Sequence, residues 1–271
     1  MLPPDAALLL TALGFIIGAV AAMTGMGGGA FIVPSLTLIF GFTVHNAVGT
    51  SLAAIVFTSL ASTYRYFKQR RLDYKVGLIS AVATIPGALL GAYLTSFISS
   101  RLLGIIFSLF LLFVAFRMLF NFSLTGSRTF RAWKYWHCRI VDSDGNIFEY
   151  DANIILGSIL SFFGGLSSGL LGIGGGSLIV PILNLVVCLP IHIAIATSMF
   201  VMIFTSISGV STHIYLNNVN LEYAAFLAMG VIFGAQLGAY AAKRTPPKFL
   251  KKFFSVILIL ISLRLILKVL S

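Results

Sequence analysis

The sequence predicts an all-α, polytopic transmembrane protein built from two related halves. First, 59% of the 271 residues are hydrophobic and 9% are charged, and the mean hydropathy is +1.04, which leaves too little polar surface for a soluble globule. Second, the apolar residues form runs of helical length. Third, a glycine-rich motif occurs twice. Together these observations place the chain in a bilayer and divide it in two.

Eight apolar runs are long enough to cross a bilayer, since about 30 Å of hydrocarbon needs roughly 20 helical residues. The first run lacks the basic start and the cleavage site of a removable signal peptide, so we expect it to belong to the mature structure. The runs are 6–23, 44–64, 76–97, 102–120, 154–171, 191–213, 223–242 and 249–270.

The positive charge of the chain is concentrated between the apolar runs. Eighteen Lys and Arg against seven Asp and Glu give a net charge of +11, which in a soluble protein would suggest nucleic acid. Here the basic residues cluster at 65–75, 117–139 and 243–252, a pattern typical of cytoplasmic loops. The expected partner is therefore the lipid bilayer of the inner membrane and not nucleic acid.

A constant offset relates the two halves. Gly27 and Gly174 differ by 147 positions (174 − 27 = 147), and Pro34 and Pro181 differ by the same number. We interpret the chain as a duplication, with a first transmembrane repeat at 1–120 and a second at 153–271. The same offset relates His45 to His192, Thr50 and Ser51 to Thr197 and Ser198, and Arg117 to Arg264.

The polar segment 121–152 separates the repeats. Near its end, apolar and polar residues alternate on both sides of Asp144 and Gly145, a pair typical of hairpin turns. We predict a small cytoplasmic β-hairpin that acts as a linker, with regulation or partner docking as the alternative.

The loops predict that the repeats have opposite orientations. Loop 65–75 holds five basic residues and its equivalent 214–221 holds none, whereas 98–101 holds one and its equivalent 243–252 holds five. This swap indicates inverted copies with an odd number of crossings each. We expect about five membrane segments per copy, both termini outside, and the central loop in the cytoplasm.

The fifth crossing of each copy is expected from a short apolar piece, 30–42 or 177–189. Each piece would be about 20 Å long as a helix, too short to span alone, so we predict a broken helix at each glycine triplet, followed by a short helix with a proline near its start. Non-helical backbone at membrane depth is tolerated when it is buried in protein or lines a wet cavity. Two such breaks build the midplane site of inverted-repeat transporters.

The predicted site binds an anion. A helix N-terminus presents unpaired N–H groups and a partial positive charge, and glycine lets a ligand approach the backbone closely. Close helix packing is the alternative role of small residues, and we favour it for Gly87, Gly91, Gly234 and Gly238. The site comprises Gly27, Gly28, Gly29, Pro34, Thr50, Ser51, Gly174, Gly175, Gly176, Pro181, Thr197 and Ser198, with Thr58, Ser59, Thr205 and Ser206 further along.

Other chemistry receives little support from the sequence. No carboxylate lies inside an apolar run, which disfavours cation transport and carboxylate proton relays. His45, His192 and His213 are candidates for proton transfer or gating, although interfacial hydrogen bonding is the favoured role. A G-x-S-x-G pattern at 165–169 lacks the strand-to-helix turn of a serine hydrolase. We expect no enzyme activity, metal or cofactor.

The doubled motif resembles that of the TauE/SafE sulfite exporter family. The similarity rests on "GMGGGAFIVP" (25–34) and "GIGGGSLIVP" (172–181), on "GTSL" (49–52) and "ATSM" (196–199), and on "NLEY" (220–223). It extends over both halves and excludes only the central loop. The resemblance implies an inner-membrane carrier that exports sulfite, organosulfonates or related small anions.

These inferences combine in one functional expectation, an anion carrier that works by alternating access. A passive anion channel and a non-transporting membrane scaffold are the alternatives, and a homodimer is one assembly open to the chain. An inside-negative potential contributes roughly 2.3 kcal/mol per charge per 100 mV to anion export. Export therefore requires no coupling ion.

Overall fold

The computed structural model describes residues 3–120, 136–242 and 247–270, and it is mostly helical (79%). A 3₁₀ turn covers Thr95–Phe97, and a π-helical turn covers Ile182–Val186. The strands are β1 (Trp136–Val141) and β2 (Ile147–Ala152). The helices are α1 (Pro4–Thr24), α2 (Gly29–Leu38), α3 (Val44–Lys68), α4 (Tyr74–Leu94), α5 (Ser100–Phe120), α6 (Ile154–Leu171), α7 (Gly176–Pro181), α8 (Ile191–Tyr215), α9 (Leu221–Ala241) and α10 (Pro247–Leu270).

Six described helices are long and apolar enough to cross a membrane, namely α1, α3, α4, α6, α8 and α9. Helices α5 and α10 have 21 and 24 residues and pack against each other. In α3 and α8, 67% of the apolar stretch is buried, against 33% in α1 and 39% in α6. Helices α3 and α8 therefore form the centre of the bundle, and the predicted helical, membrane-spanning class is confirmed.

Helix α1 runs parallel to α9 with the two backbones in direct contact. A Cβ atom on Gly234 would collide with the Phe15 carbonyl oxygen, and one on Gly238 would collide with that of Ala19. The contacts advance along both helices in the same direction, from Phe15 to Ala19 and from Gly234 to Gly238, so the two helices are parallel. Helix α4 runs parallel to α6 in the same manner, with Gly87 against Phe162 and Gly91 against Leu166. The packing role predicted for Gly87, Gly91, Gly234 and Gly238 is therefore confirmed.

The bundle has two ends, which we call the N-terminal end, where α1 begins, and the hairpin end, which carries β1 and β2. Helix α3 begins at the N-terminal end, where Gly49 contacts Asn218 just after α8. It finishes at the hairpin end, where Gln69 Nε2 donates to the Ala239 carbonyl oxygen of α9 over 3.1 Å. Helices α3 and α8 are therefore antiparallel.

The β-hairpin lies against the loop between α3 and α4. Its strands are antiparallel, with Cys138 opposite Tyr150, and the predicted turn at Asp144 and Gly145 joins them. The Ser143 amide donates to the Gln69 carbonyl oxygen over 3.0 Å. The hairpin therefore covers the α3–α4 loop.

The short helices turn the chain back and do not complete a crossing. Phe40 and Phe42, which follow α2, contact the Tyr223 ring of α9 at centroid distances of 5.6 and 4.6 Å. In the second half, Gly157 near the start of α6 contacts Val187 just after the π-helical turn. Each broken pair thus returns to the end of the bundle from which it started. The predicted fifth crossing by 30–42 and 177–189 is wrong, because left-handed glycines at each break reverse the chain direction.

The α1–α9 contact predicts a strong difference between two glycine-to-alanine variants. Gly234→Ala would push a Cβ atom into the Phe15 carbonyl oxygen. In Gly209→Ala the nearest atom would be Leu52 Cδ1 at 3.0 Å, the flexible tip of a side chain, and the nearest backbone atom would be the Gly169 Cα atom at an ordinary 3.8 Å. In both variants, alanine favours the helical conformation over glycine by about 1 kcal/mol. We expect Gly234→Ala to lower the unfolding temperature in detergent and Gly209→Ala to leave it unchanged or raise it. Equal stability of the two variants would contradict the direct contact.

Candidate functional site

The two glycine motifs interrupt helices in the middle of the bundle. We call residues 25–28, between α1 and α2, the first break, and residues 172–175, between α6 and α7, the second break. In the first, Gly25, Gly27 and Gly28 have φ angles of 76°, 77° and 94°. In the second, the φ angles at 172, 174 and 175 are 68°, 77° and 78°. This left-handed region favours glycine, since a Cβ atom would be strained there.

The two breaks lie directly against each other. A Cβ atom on Gly29 would collide with the Gly172 carbonyl oxygen, and one on Gly176 would collide with that of Gly25. These contacts are equivalent under the 147-residue offset (29 + 147 = 176, 25 + 147 = 172). The two segments therefore cross antiparallel, and the crossing leaves no room for side chains.

The crossing lies at the level of the middles of α3 and α8. A Cβ atom on Gly27 would stand 2.9 Å from Met202 Sδ of α8, and one on Gly174 would stand 2.9 Å from Ile55 Cγ2 of α3. Residues 25–29 and 172–176 are all buried. The two breaks are therefore buried and in direct contact with each other.

Backbone amides at both breaks have no partner in the described part of the chain. The carbonyl oxygen of Gly28 accepts from the amides of Phe31 and Ile32 at the start of α2. By contrast, the amides of Gly27 and Gly28 make no described hydrogen bond, and the same holds for those of Gly174 and Gly175. Unpaired N–H groups at a helix N-terminus carry partial positive charge.

Two of the predicted serine hydroxyls tie the breaks to the central helices. Ser51 Oγ donates to the Gly172 carbonyl oxygen over 2.7 Å, and Ser198 Oγ donates to that of Gly25 over 3.2 Å. Each hydroxyl thereby satisfies a carbonyl at the end of a broken helix. Both predicted serines therefore lie beside the crossing, where their hydroxyls bind backbone carbonyl groups.

The two neighbouring threonines hold helix starts. Thr50 Oγ1 accepts from the Asn220 amide at the N-cap of α9 over 3.0 Å, and Thr197 Oγ1 accepts from the Asp73 amide at the N-cap of α4 over 3.1 Å. These contacts are again equivalent under the offset (50 + 147 = 197, 73 + 147 = 220). Sequence analysis identified neither of these bonds.

The remaining predicted residues lie further from the crossing. Pro34 and Pro181 are each the sixth residue of their short helix, later than the predicted position near its start. Four hydroxyls of the central helices donate to carbonyl oxygens of their own helix, as polar side chains in apolar helices commonly do. They belong to Thr58, Ser59, Thr205 and Ser206.

Two of the three candidate histidines fasten helices together. His45 Nε2 lies 3.0 Å from the carbonyl oxygens of both Thr95 and Ile98, at the N-terminal end. His213 Nε2 lies 2.9 Å from the Gly169 carbonyl oxygen of α6. Both nitrogens therefore act as donors, which fits a hydrogen-bonding role. His192 lies half-buried at the start of α8.

A buried ion pair holds the hairpin in place. Arg71 Nη2 lies 2.9 Å from Asp142 Oδ2, and the two side chains are 8% and 0% exposed. Burial alone would raise the pKa of Asp142, but hydrogen bonds from Asn146, Arg71 and two backbone amides outweigh it and hold the pKa well below its usual range. The hairpin is thereby clamped to the α3–α4 loop, a contact that sequence analysis missed.

Asp73 links the clamp to α8. Its carboxylate accepts from the Tyr150 hydroxyl of β2 over 2.6 Å, while its amide donates to Thr197. Burial, and then the hydrogen bond to Asp73, raise the pKa of Tyr150. Burial, and then the charge of Asp73, raise the pKa of the Cys138 thiol to about 11. The hairpin, the loop and α8 therefore form one connected hydrogen-bond network.

Long apolar helices around two opposed helix breaks define a multi-pass membrane protein of the transporter class. The model of the sulfite exporter TauE/SafE family matches residues 10–265, and the chain belongs to this family, as the resemblance of its motifs predicted. No solved structure matches the chain significantly.

Relatives of known name are similar over nearly their whole length. The probable membrane transporter protein YunE of Bacillus subtilis is 35% identical, with 95% of this chain and 96% of the relative covered. A probable membrane transporter protein of Methanocaldococcus jannaschii is 29% identical, with 92% and 91% covered. The probable membrane transporter protein YdhB of Bacillus subtilis is 29% identical, with 88% and 91% covered. These names agree with a membrane transporter.

The ion pair predicts that Arg71→Ala loosens the hairpin. Removal of one partner leaves the Asp142 carboxylate buried without its counter-charge, at a cost of about 3 kcal/mol. Limited proteolysis of the purified protein should therefore cut the hairpin much faster than in the wild type. Because the pKa of Asp142 is depressed on folding, its contribution is present above about pH 4 and is lost as the pH falls towards the folded-state pKa.

Arg139→Ala is the matched control. Its guanidinium lies 3.5 Å from Glu149 Oε1, with both side chains more than half exposed (60% and 55%), so its loss should cost less than about 1 kcal/mol. Equal protection of the hairpin in Arg71→Ala and Arg139→Ala would contradict the clamp.

Proposed function

We propose that the chain is an inner-membrane transporter that exports small anions, sulfite or organosulfonates, by alternating access. The membership in a sulfite exporter family and the names of the relatives support the transporter class. The observation that carries the proposal is the crossing of two glycine breaks at the centre of the bundle, with unpaired amides at both.

Inverted repeats are part of this proposal. Helices α3 and α8 have bounds that differ by 147 at both ends (191 − 44 and 215 − 68), and so do α4 and α9 (221 − 74 and 241 − 94). Members of each pair run in opposite directions. Since each broken pair returns to its starting end, α3, α4 and α5 remain as the crossings of the first half. Three is an odd number, which inverted insertion of a duplicate requires.

The site chemistry favours an anion. The breaks offer amide hydrogens and helix N-terminal charge, and water-excluded surroundings strengthen both interactions. Asp73 and Glu222, which flank the spans, lie at the starts of α4 and α9. The crossing therefore presents donors and no competing carboxylate.

Alternating access requires each end of the bundle to open in turn. At the hairpin end, the Thr197–Asp73 bond closes α8 against α4. At the N-terminal end, the equivalent Thr50–Asn220 bond closes α3 against α9. In the proposed cycle one of these bonds breaks at a time, the two breaks separate, and the membrane potential drives the anion outward.

The proposed site predicts that leucine at either break abolishes transport. A Cβ atom on Gly28 would lie 2.9 Å from Ile17 Cγ2, and one on Gly175 would lie 3.0 Å from the Gly164 carbonyl oxygen, so the added side chain prevents the breaks from closing around an anion. Gly28→Leu and Gly175→Leu should lose counterflow of labelled against unlabelled sulfite in proteoliposomes, while both variants remain monodisperse in detergent.

Gly41→Leu is the matched control. Gly41 also has a positive φ angle, 71°, but a Cβ atom there meets nothing within 4 Å, so this variant shares the backbone strain and should exchange sulfite normally.

In the wild type, sulfite should slow hydrogen exchange of the amides at 26–30 and 173–177. Unaltered counterflow in both leucine variants would count against the site, and conductance without counterflow would indicate a channel.

The proposed orientation predicts where Cys188 is labelled. Cys188 is exposed and lies in the loop that leads into α8 at the hairpin end. In a Cys138→Ser background, a membrane-impermeant maleimide should therefore label Cys188 in inside-out vesicles and not in right-side-out vesicles.

A cysteine at the opposite end provides the comparison. Ser96 is exposed in the turn after α4, at the N-terminal end. In a chain without Cys138 and Cys188, Ser96→Cys should react in right-side-out vesicles only. Labelling of both positions from one side would contradict the two-ended topology, and labelling in the reverse order would place the hairpin outside the cell.

A further inference from the structure

We infer that the two breaks contribute unequally to the proposed anion site, and that the hydroxyls of Ser168 and Ser177 at the second break bind the oxygens of the anion. This inference rests on the proposed function, since it names specificity-determining residues of the same site. It follows from three observations: two unpartnered hydroxyls, their position at the second break, and apolar residues at the equivalent positions of the first.

The two hydroxyls have no partner inside the described part of the chain. The side chains of Ser168 and Ser177 are buried, with residue exposures of 0% and 5%, and neither Oγ atom makes a hydrogen bond there. Ser161, two turns earlier on α6, makes the hydrogen bond that is common for a serine in an apolar helix: its Oγ donates to the Gly157 carbonyl oxygen over 2.7 Å. A buried hydroxyl without a partner destabilises the folded state. A bound acceptor would remove that penalty.

Both hydroxyls border the second break. Ser168 lies against Gly175, where a Cβ atom would stand 3.4 Å from the Cβ atom of Ser168. Ser177 follows Gly176, the residue that packs directly on the Gly25 carbonyl oxygen of the first break. One hydroxyl therefore comes from α6 and the other from the chain just beyond the break. Both side chains therefore lie beside the glycines of the second break.

The first break has no hydroxyl groups at the positions equivalent to Ser168 and Ser177. Subtraction of 147 from 168 and 177 gives Ala21 and Ala30, which are 1% exposed each and belong to the apolar core. Ala21 occupies the position equivalent to Ser168, since its Cβ atom lies 3.3 Å from where a Cβ atom on Gly28 would be. Both breaks offer backbone amides, but the side chains beside them are polar at the second break and apolar at the first.

This division fits an anion with an oxygen-bearing head. Hydroxyl groups donate to oxygen acceptors, so the charged head of sulfite or of a sulfonate binds at the second break, beside the unpaired amides of Gly174 and Gly175. The alanine side of the first break accepts the organic part of a sulfonate, where one is present. The ligand class is a small oxyanion, with or without a short apolar substituent.

The test compares Ser168→Ala and Ser177→Ala with Ser161→Ala as matched control. Sulfite binding is measured by the sulfite-dependent rise in unfolding temperature of the purified protein, and exchange by sulfite counterflow in proteoliposomes. A hydrogen bond to a charged group supports roughly a tenfold change in affinity. We expect each variant to bind sulfite about tenfold more weakly, and the double variant to bind it more weakly still.

Stability without ligand separates a binding role from a structural one. Without sulfite, Ser168→Ala and Ser177→Ala should unfold at the wild-type temperature or above it, because they delete unpartnered hydroxyls. Ser161→Ala should unfold at the wild-type temperature or slightly below it and keep wild-type affinity. Sulfite affinity within about twofold of wild type in both alanine variants would overturn the inference and leave the proposed function standing. A wild type that neither binds nor exchanges sulfite or methanesulfonate would overturn both.

Discussion

The structure depends on the close crossing of two peptide backbones in an apolar environment. Hydrocarbon cannot satisfy N–H and C=O groups, so a helix may be interrupted at membrane depth only where protein or water provides partners. Here the two breaks pack directly against each other. The Gly25 carbonyl oxygen accepts a hydrogen bond from Ser198, and the Gly172 carbonyl oxygen accepts one from Ser51. Because a Cβ atom on Gly29 or on Gly176 would collide with backbone, the crossing requires glycine in both segments.

The other contacts of the bundle follow from this crossing. The middles of α3 and α8 enclose it through Ile55 and Met202, so these helices are the most buried. The helices that lead into the breaks must also be held, and α1 and α6 are fixed by glycine contacts with α9 and α4. Such backbone contact substitutes for the hydrophobic effect, which provides no attraction between helices in lipid. The glycines thus have two structural roles: some interrupt helices at the breaks, and others allow helices to pack with their backbones in contact.

The lengths of the apolar runs, the internal repeat and the turn residues predicted much of this arrangement. Apolar run length located the helices, the offset of 147 linked equivalent residues, and Asp144 with Gly145 marked the hairpin turn. The return of the short helices was not predictable, since run length carries no direction and φ angles decide it. The Arg71–Asp142 pair and the Asp73–Thr197 bond join residues far apart in sequence, and no local pattern marks them. Ser168 and Ser177 were missed because an unpartnered hydroxyl is visible only after packing is known.

The hairpin makes the two ends of the bundle energetically unequal. The equivalent bonds of Thr197 to Asp73 and of Thr50 to Asn220 would by themselves favour neither access state of the proposed cycle. Within the described ranges, only the α3–α4 loop is also clamped by a buried ion pair and by Tyr150, whereas the α8–α9 loop carries no basic residue. A contact that is made in one state and lost in another shifts their populations by its own free energy. Under the proposed mechanism the hairpin therefore stabilises states that are closed at its own end, and an anion from that side must bind tightly enough to compensate.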